Sequence, residues 1–242
     1  KYALSVLSNS GSTYVPKDIL LESAIKLLDI SSELIEENLT TLAFAGEIEL
    51  DSLDGVPVVY QHFFYQAEQS VTYHIKRIMN GYMPPLAADP DNLINAAEAD
   101  ERIQISGNQR KAIRAALTNK ITIITGGPGT GKTTIINLIV KIFKQMGISV
   151  ALAAPTGRAA KRITETSGVE AMTIHRLLEY VYSEDENEME FGRNAENPLE
   201  EDSFIVDEAS MIDLMLMDGF LNALEDDSRL IIVGDADQLP SV

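Results

Sequence analysis

Residues 126–134 read Gly-Gly-Pro-Gly-Thr-Gly-Lys-Thr-Thr. They follow the apolar run Ile121-Thr-Ile-Ile-Thr125 and precede Ile135, Leu138, Ile139, Ile142 and Met146, which recur at helical spacing until Gly147 ends the pattern. Here a buried strand must stop, the chain must turn sharply, and a helix must begin. Gly126, Gly127, Gly129 and Gly131 permit backbone angles that a Cβ would forbid, so several N–H groups can turn toward one anion. The positive end of the new helix reinforces them. The pattern is the phosphate-binding loop G-x-x-x-x-G-K-[ST], which also includes Pro128, Thr130 and Thr134, and it points to a nucleoside triphosphate. Lys132 is expected to reach the β- and γ-phosphates, and the Thr133 hydroxyl to ligate Mg²⁺.

Two later runs end in polar groups suited to the same ligand. Phe204-Ile-Val is followed by Asp207 and Glu208. Asp207 is expected to hold Mg²⁺ through a water, and Glu208 to orient and deprotonate the attacking water. Leu230-Ile-Ile-Val233 is followed by Gly234, Asp235 and Gln238. Gln238 is expected to bond the γ-phosphate or the attacking water, with Asp235 supporting the metal shell. Parallel sheets bind ligands at the carboxyl ends of their strands, so three such loops favour one shared site.

The 242 residues carry no cysteine and a formal charge of −18. Disulfides and thiolate metal sites are excluded, which suits a reducing, cytoplasmic setting. No segment is long and apolar enough to span a membrane. Bulk electrostatics oppose nucleic-acid binding, so any such site must be a local patch. Arg158, Lys161 and Arg162 fall at i, i+3 and i+4 on one helical face. They read equally as a nucleic-acid patch or a solvated stripe. Lys1 is not an initiator methionine and the sequence stops inside a loop at Val242, as expected of part of a longer chain.

Residues 106–242 alternate apolar strands (121–125, 149–153, 203–206, 229–233) with amphipathic helices, which predicts an α/β fold with a parallel sheet flanked by helices. Residues 1–80 differ. Helices are expected over 17–28, over 32–45 with Ser32 as cap, and over 66–79, with a hairpin turning at Asp54-Gly55. That order is winged-helix-like. The second helix carries Glu33, Glu36 and Glu37 and no Lys or Arg, which argues for a structural or protein-contact module over a DNA reader. Residues 81–105, with Pro84-Pro85 and Asp89-Pro90, read as a linker. The acidic stretch 183–202 is expected to be an exposed excursion, with a short hairpin around Gly192.

Taken together the motifs resemble the RecD/TraA-type group of superfamily 1 DNA helicases. The residues that carry the resemblance are Gln109, the loop 126–133, Ala154-Pro-Thr-Gly-Arg-Ala159, Thr173-Ile-His-Arg-Leu-Leu178, Asp207-Glu-Ala-Ser210, and Gly234-Asp235 with Gln238-Leu-Pro-Ser-Val242. The N-terminal part is similar to the pre-motor region of the standalone RecD-like helicases. The resemblance implies a RecA-like first motor domain over 106–242, ATP and Mg²⁺ as cofactors, and 5′ to 3′ movement on single-stranded DNA or at duplex junctions. It implies that Gln109 reads the adenine edge, and that Pro155, Thr156, Arg158, Thr173 and His175 contact the DNA strand. It also implies a wedge hairpin near 180–195, with Phe191 the candidate for its apolar tip. Relatives of this group carry a second motor domain that supplies arginine fingers, so the present stretch alone is expected to bind ATP–Mg²⁺, hydrolyse it very slowly and not unwind DNA. The helicase part of a conjugative relaxase, a Pif-type helicase and a non-translocating P-loop ATPase switch are the alternative readings.

Overall fold

The four apolar runs expected as strands after residue 120 enter one parallel sheet. The computed structural model describes residues 1–8, 11–183, 188–235 and 238. They divide into two compact units, residues 1–72 with 213–218, and residues 73–212 with the described residues from 219 onward.

The first unit runs α1 (Tyr2–Ser8), β1 (Tyr14–Pro16), α2 (Lys17–Leu28), α3 (Ser32–Phe44), β2 (Ile48–Leu53) and β3 (Val56–Gln61), with an antiparallel sheet in the order β1-β3-β2. This is the winged-helix order. Leu4, Leu20, Ile35, Leu39, Ile48 and Val59 form its core. The β2–β3 turn is tight because Asp54 (φ 50°) and Gly55 (φ 82°) both adopt left-handed angles, as a two-residue hairpin of this twist demands. The cap of α3 is Ser31, not Ser32: the Ser31 hydroxyl accepts from the Leu34 N–H at 3.4 Å. Glu33, Glu36 and Glu37 lie on the exposed side of α3.

The chain continues through α4 (His62–Asn80), α5 (Pro90–Glu101), α6 (Gly107–Thr118), β4 (Ile121–Thr125), α7 (Lys132–Gln145), β5 (Val150–Ala154), α8 (Gly157–Ser167), β6 (Ala171–Thr173), α9 (Ile174–Leu177), β7 (Tyr180–Ser183), β8 (Glu188–Phe191), β9 (Ser203–Val206), α10 (Leu214–Asn222) and β10 (Arg229–Gly234). The five-stranded sheet has the order β4-β10-β9-β5-β6, and every neighbouring pair is parallel. Its core gathers Ile124, Ile139, Phe143, Leu152, Ile205 and Ile231, each such side chain worth about 1.5–3 kcal/mol when buried. The architecture is the RecA-like α/β fold expected from the sequence. All five strands run the same way, so the loops after them emerge along one rim.

Three features depart from the sequence reading. Residues 81–105 are not merely a linker: α5 starts at Pro90, capped by the Asp89 carboxylate, and buries Ile94 and Ala97 completely in the sheet-and-helix core. Proline at the first helical position opens a helix rather than breaking one. The edge strand β6 was not anticipated, since Ala-Met-Thr is too short to show a period. The hairpin is centred upstream of Gly192. Its register pairs Tyr180 with Phe191 and Ser183 with Glu188, so Phe191 sits at the base of the β7–β8 hairpin rather than at its tip. Residues 184–187, between the strands, lie outside the described residues.

Candidate nucleotide site and neighbouring loops

The loop after β4 is held to the sheet by the Gly126 N–H, which donates to the Gly234 carbonyl at 3.3 Å. Gly129 (φ 78°) and Gly131 (φ 85°) take left-handed angles. The left-handed angle at Gly131 is what calls for glycine there; an added Cβ would also meet the end of the Gln109 side chain, which would have to shift. Gly131 is also the N-cap of α7 and offers no side-chain acceptor, which leaves the first N–H groups of a fourteen-residue helix for an external anion. Thr130 Oγ1 donates to the Gly127 carbonyl at 2.9 Å and closes the turn. Lys132 folds back over the loop, its Nζ donating to the carbonyls of Gly126 and, at 3.2 Å, Gly127.

A cavity of about 290 Å³ opens above this loop, lined by residues 127–133 together with Arg162, Asp207, Glu208, Asp235 and Gln238. The acids and the late glutamine are physically linked. Asp207 Oδ1 accepts the Glu208 N–H at 2.9 Å. Gln238 Nε2 donates to Glu208 Oε2 at 3.2 Å, while its Oε1 accepts from the Ser210 hydroxyl at 3.0 Å. Glu208 adopts φ 54°, a left-handed angle uncommon outside glycine, and so turns abruptly out of the β9 direction. Asp235 is buried. Burial pushes the Asp207 carboxyl up from its ordinary value, aided by neighbouring Glu208, while the Glu208 N–H, Lys132 and Arg162 pull the other way.

An acid held above its ordinary value adds stability below the usual aspartate range and loses it as pH rises through the raised value, so at neutral pH the ionised Asp207 is a net burden on the fold. Asp207→Asn keeps the Oδ1 acceptor. It is therefore expected to raise the melting temperature of the nucleotide-free protein by about 1–4 °C while abolishing metal-dependent turnover. A lower melting temperature in a thermal unfolding scan would remove this account.

The lining suits a nucleoside triphosphate: a helix end without a side-chain cap, one lysine and one arginine border the cavity, together with Asp207, Glu208 and Asp235. Among the described residues no three acidic or histidine side chains converge as a ready-made metal cage.

The other expected residues lie around this cavity and along the rim. Gln109 does not line the cavity. It is the third residue of a capping box on α6, where its Oε1 accepts the Ser106 N–H at 2.9 Å and its Nε2 donates to the Thr130 carbonyl at 3.1 Å. The Ser106-x-x-Gln109 spacing shows that box in the sequence. Gly126 and Thr134 flank the cavity without lining it. Arg162, read with Arg158 and Lys161 as one stripe, instead faces the nucleotide cavity. Thr156, Arg158, Ala159, Arg162, Glu208 and Met211 line a second groove of about 650 Å³. Pro155 precedes Thr156, whose hydroxyl caps α8 by accepting the Ala159 N–H at 3.2 Å. Thr173 caps α9 through the Arg176 N–H at 3.1 Å. The β5–β6 ladder pairs Ala154 with Thr173, which places both capping loops side by side on the rim. His175 is exposed just beyond.

A family model described as an AAA domain matches residues 109–242, more than half of the chain. The ATP-dependent RecD2 DNA helicase of Deinococcus radiodurans is 34% identical over 224 residues, covering 93% of this chain and 29% of that protein. The RecBCD enzyme subunit RecD of Mycolicibacterium smegmatis is 38% identical over 157 residues, covering 55% of this chain and 28% of the subunit. That of Haemophilus influenzae is 32% identical over 218 residues, covering 77% and 33%. The chain thus spans about a third or less of the relatives it matches. A solved structure described as "Structural Basis for DNA Unwinding at Forked dsDNA by two coordinating Pif1 helicases" aligns with a TM-score of 0.41 at 22% identity, over 58% of this chain and 35% of that one. The chain belongs to the AAA-domain family matched over residues 109–242 and, within it, to the RecD-like helicases of superfamily 1.

Proposed function

We propose that the full-length protein is an ATP-dependent DNA helicase or translocase that moves 5′ to 3′ on single strands and opens duplex junctions, working in the cytoplasm. The observation that carries this reading is the bridge from Gln238 to both Glu208 and Ser210 at the wall of the phosphate-loop cavity. A P-loop alone would serve any nucleotide-binding protein. A glutamine tied to the expected general base ties two strand-end loops to the phosphate end of the cavity.

In this reading the loop N–H groups and Lys132 hold the phosphates of ATP, and Thr133 and Asp207 hold Mg²⁺. The metal, when bound, neutralises charge on the phosphate oxygens. Glu208 orients the attacking water and takes its proton. Gln238 bonds to the carboxylate and keeps it aimed. Arg162 adds positive charge from α8, the helix whose first turn carries Thr156 and Arg158. α8 reaches the nucleotide cavity through Arg162 and the strand-contact loop through Thr156 and Arg158, so it links hydrolysis to DNA grip along one helix. Pro155, Thr156, Arg158, Thr173 and His175 form the proposed strand-contact rim. The exposed acidic side of α3 supports a protein-contact role for the N-terminal winged helix, because a DNA reader needs cations there.

The test is ATPase activity of the full-length protein with and without single-stranded DNA. Stimulation of tenfold or more is expected. Unchanged turnover at saturating DNA would leave a P-loop switch without translocation.

A further inference from the structure

The phosphate loop is tied by a side chain that lies outside its cavity. Gln109, in the first turn of α6, is half-buried and takes no part in the cavity lining. Its Oε1 accepts the Ser106 N–H at 2.9 Å and its Nε2 donates to the Thr130 carbonyl at 3.1 Å. The partners fix which way round the amide sits, since an N–H needs the oxygen and a carbonyl needs the NH2 group. The capping box accounts for the first bond. It does not account for the second, which reaches 21 residues along the chain to the turn before α7. The same Nε2 is the nearest atom to a Cβ built on Gly131, so the amide lies against the loop backbone. The peptide between Thr130 and Gly131 is trans, and in a trans peptide the carbonyl and the N–H point to opposite sides. Holding the Thr130 carbonyl toward Gln109 therefore fixes the Gly131 N–H on the side away from Gln109, where residues 127–133 line the cavity.

We propose that Gln109 is a positioning residue for the phosphate loop, which it presets for the anion by holding the Thr130 carbonyl outward. The inference rests on the nucleotide-binding reading above and gives Gln109 a task that needs no base. An anion cradle already in shape loses less order when it binds, so the bond contributes to affinity for the phosphates themselves. The Thr130 hydroxyl, donating to the Gly127 carbonyl at 2.9 Å, braces the same turn from within. Beyond its two bonds the Gln109 amide keeps one N–H and one lone pair, so the adenine contact implied by the resemblance and the loop bond can coexist. Base-free phosphate binding separates the two.

The test uses the full-length protein and measures dissociation constants for magnesium ATP and for magnesium tripolyphosphate, which offers the phosphates without a base. Gln109→Met keeps the length of the side chain beside Gly131 and loses both hydrogen bonds. It is expected to weaken tripolyphosphate binding about 3- to 10-fold, the scale of one net hydrogen bond, and ATP binding at least as much. Ser106→Ala removes the hydroxyl cap of α6 and leaves both Gln109 bonds in place, because Gln109 accepts from the Ser106 backbone. Its tripolyphosphate affinity is expected to stay within about twofold of wild type. Loss confined to ATP in Gln109→Met overturns the positioning role and leaves a base reader. Equal loss of tripolyphosphate affinity in Ser106→Ala overturns it as well, because fraying of α6 would then carry the effect. Failure of the wild-type protein to bind either ligand overturns the nucleotide reading and the positioning role together.

Discussion

Glu208→Gln is expected to bind ATP within about twofold of wild type and to turn it over about 10²–10⁴-fold more slowly, the range a positioned general base supplies. The substitution preserves shape, so the left-handed turn at φ 54° and the Asp207 contact to the residue 208 N–H survive. What changes is the basicity of the group at the cavity wall and the character of its bond with Gln238, which now joins two neutral amides rather than an amide and a carboxylate. Nucleotide affinity by calorimetry and steady-state ATPase in the full-length protein, with single-stranded DNA present, separate the two effects. Turnover within tenfold of wild type would move the base elsewhere. Loss of binding would instead make Glu208 part of the loop's architecture.

Lys132→Ala is expected to do the opposite, weakening ATP binding by about 30-fold or more. Truncating one partner of a desolvated charge pair costs about 2–5 kcal/mol, and Lys132 is the one lysine lining the described cavity. Its Nζ donates to the Gly126 and Gly127 carbonyls. The variant therefore also loses two internal hydrogen bonds, and the loop glycines become freer. The thermal shift produced by saturating ATP should shrink accordingly, because that shift reports the logarithm of ligand concentration over dissociation constant. An undiminished shift would mean that the backbone N–H groups and the helix end hold the phosphates unaided.

Both predictions concern groups that were readable in advance, and for one reason. The phosphate loop is contiguous, so glycines, lysine and threonines announce their geometry within nine residues. The Asp207-Glu208 and Asp235–Gln238 pairs each follow an apolar run long enough to be a buried strand. Position after such a strand already implies the carboxyl edge of a parallel sheet. The Asp54-Gly55 hairpin and the C-terminal Gly147 of α7 were legible for the same local cause, a backbone angle that few residues adopt.

The missed features share the opposite property. α5 is hard to read in the sequence because Pro90, close after Pro84-Pro85, looks like a breaker, although Asp89 before it is a cap. β6 contributes only three residues, and its strand character comes wholly from pairing with β5. Gln109 satisfies the Ser106 box and the Thr130 carbonyl at once, and the second partner is distant in sequence. Arg162 shows the limit most clearly. Helical spacing groups it with Arg158 and Lys161, yet Lys161 lies beside Glu165 at 3.9 Å while Arg162 reaches the cavity wall by Asp207.

Local chemistry, then, was enough to declare a phosphate cradle, its sheet and the acids beside it, because hydrogen-bonding and backbone preferences act over a few neighbouring residues. The direction in which α8 points its cations, the bond from Gln109 to the Thr130 carbonyl and the bridge from Gln238 to Glu208 required the folded chain. Each depends on which buried side chains, such as Ala160 and Ile163 on α8, dock against the sheet. That choice is settled by packing among residues far apart in sequence, and no short window of sequence contains it.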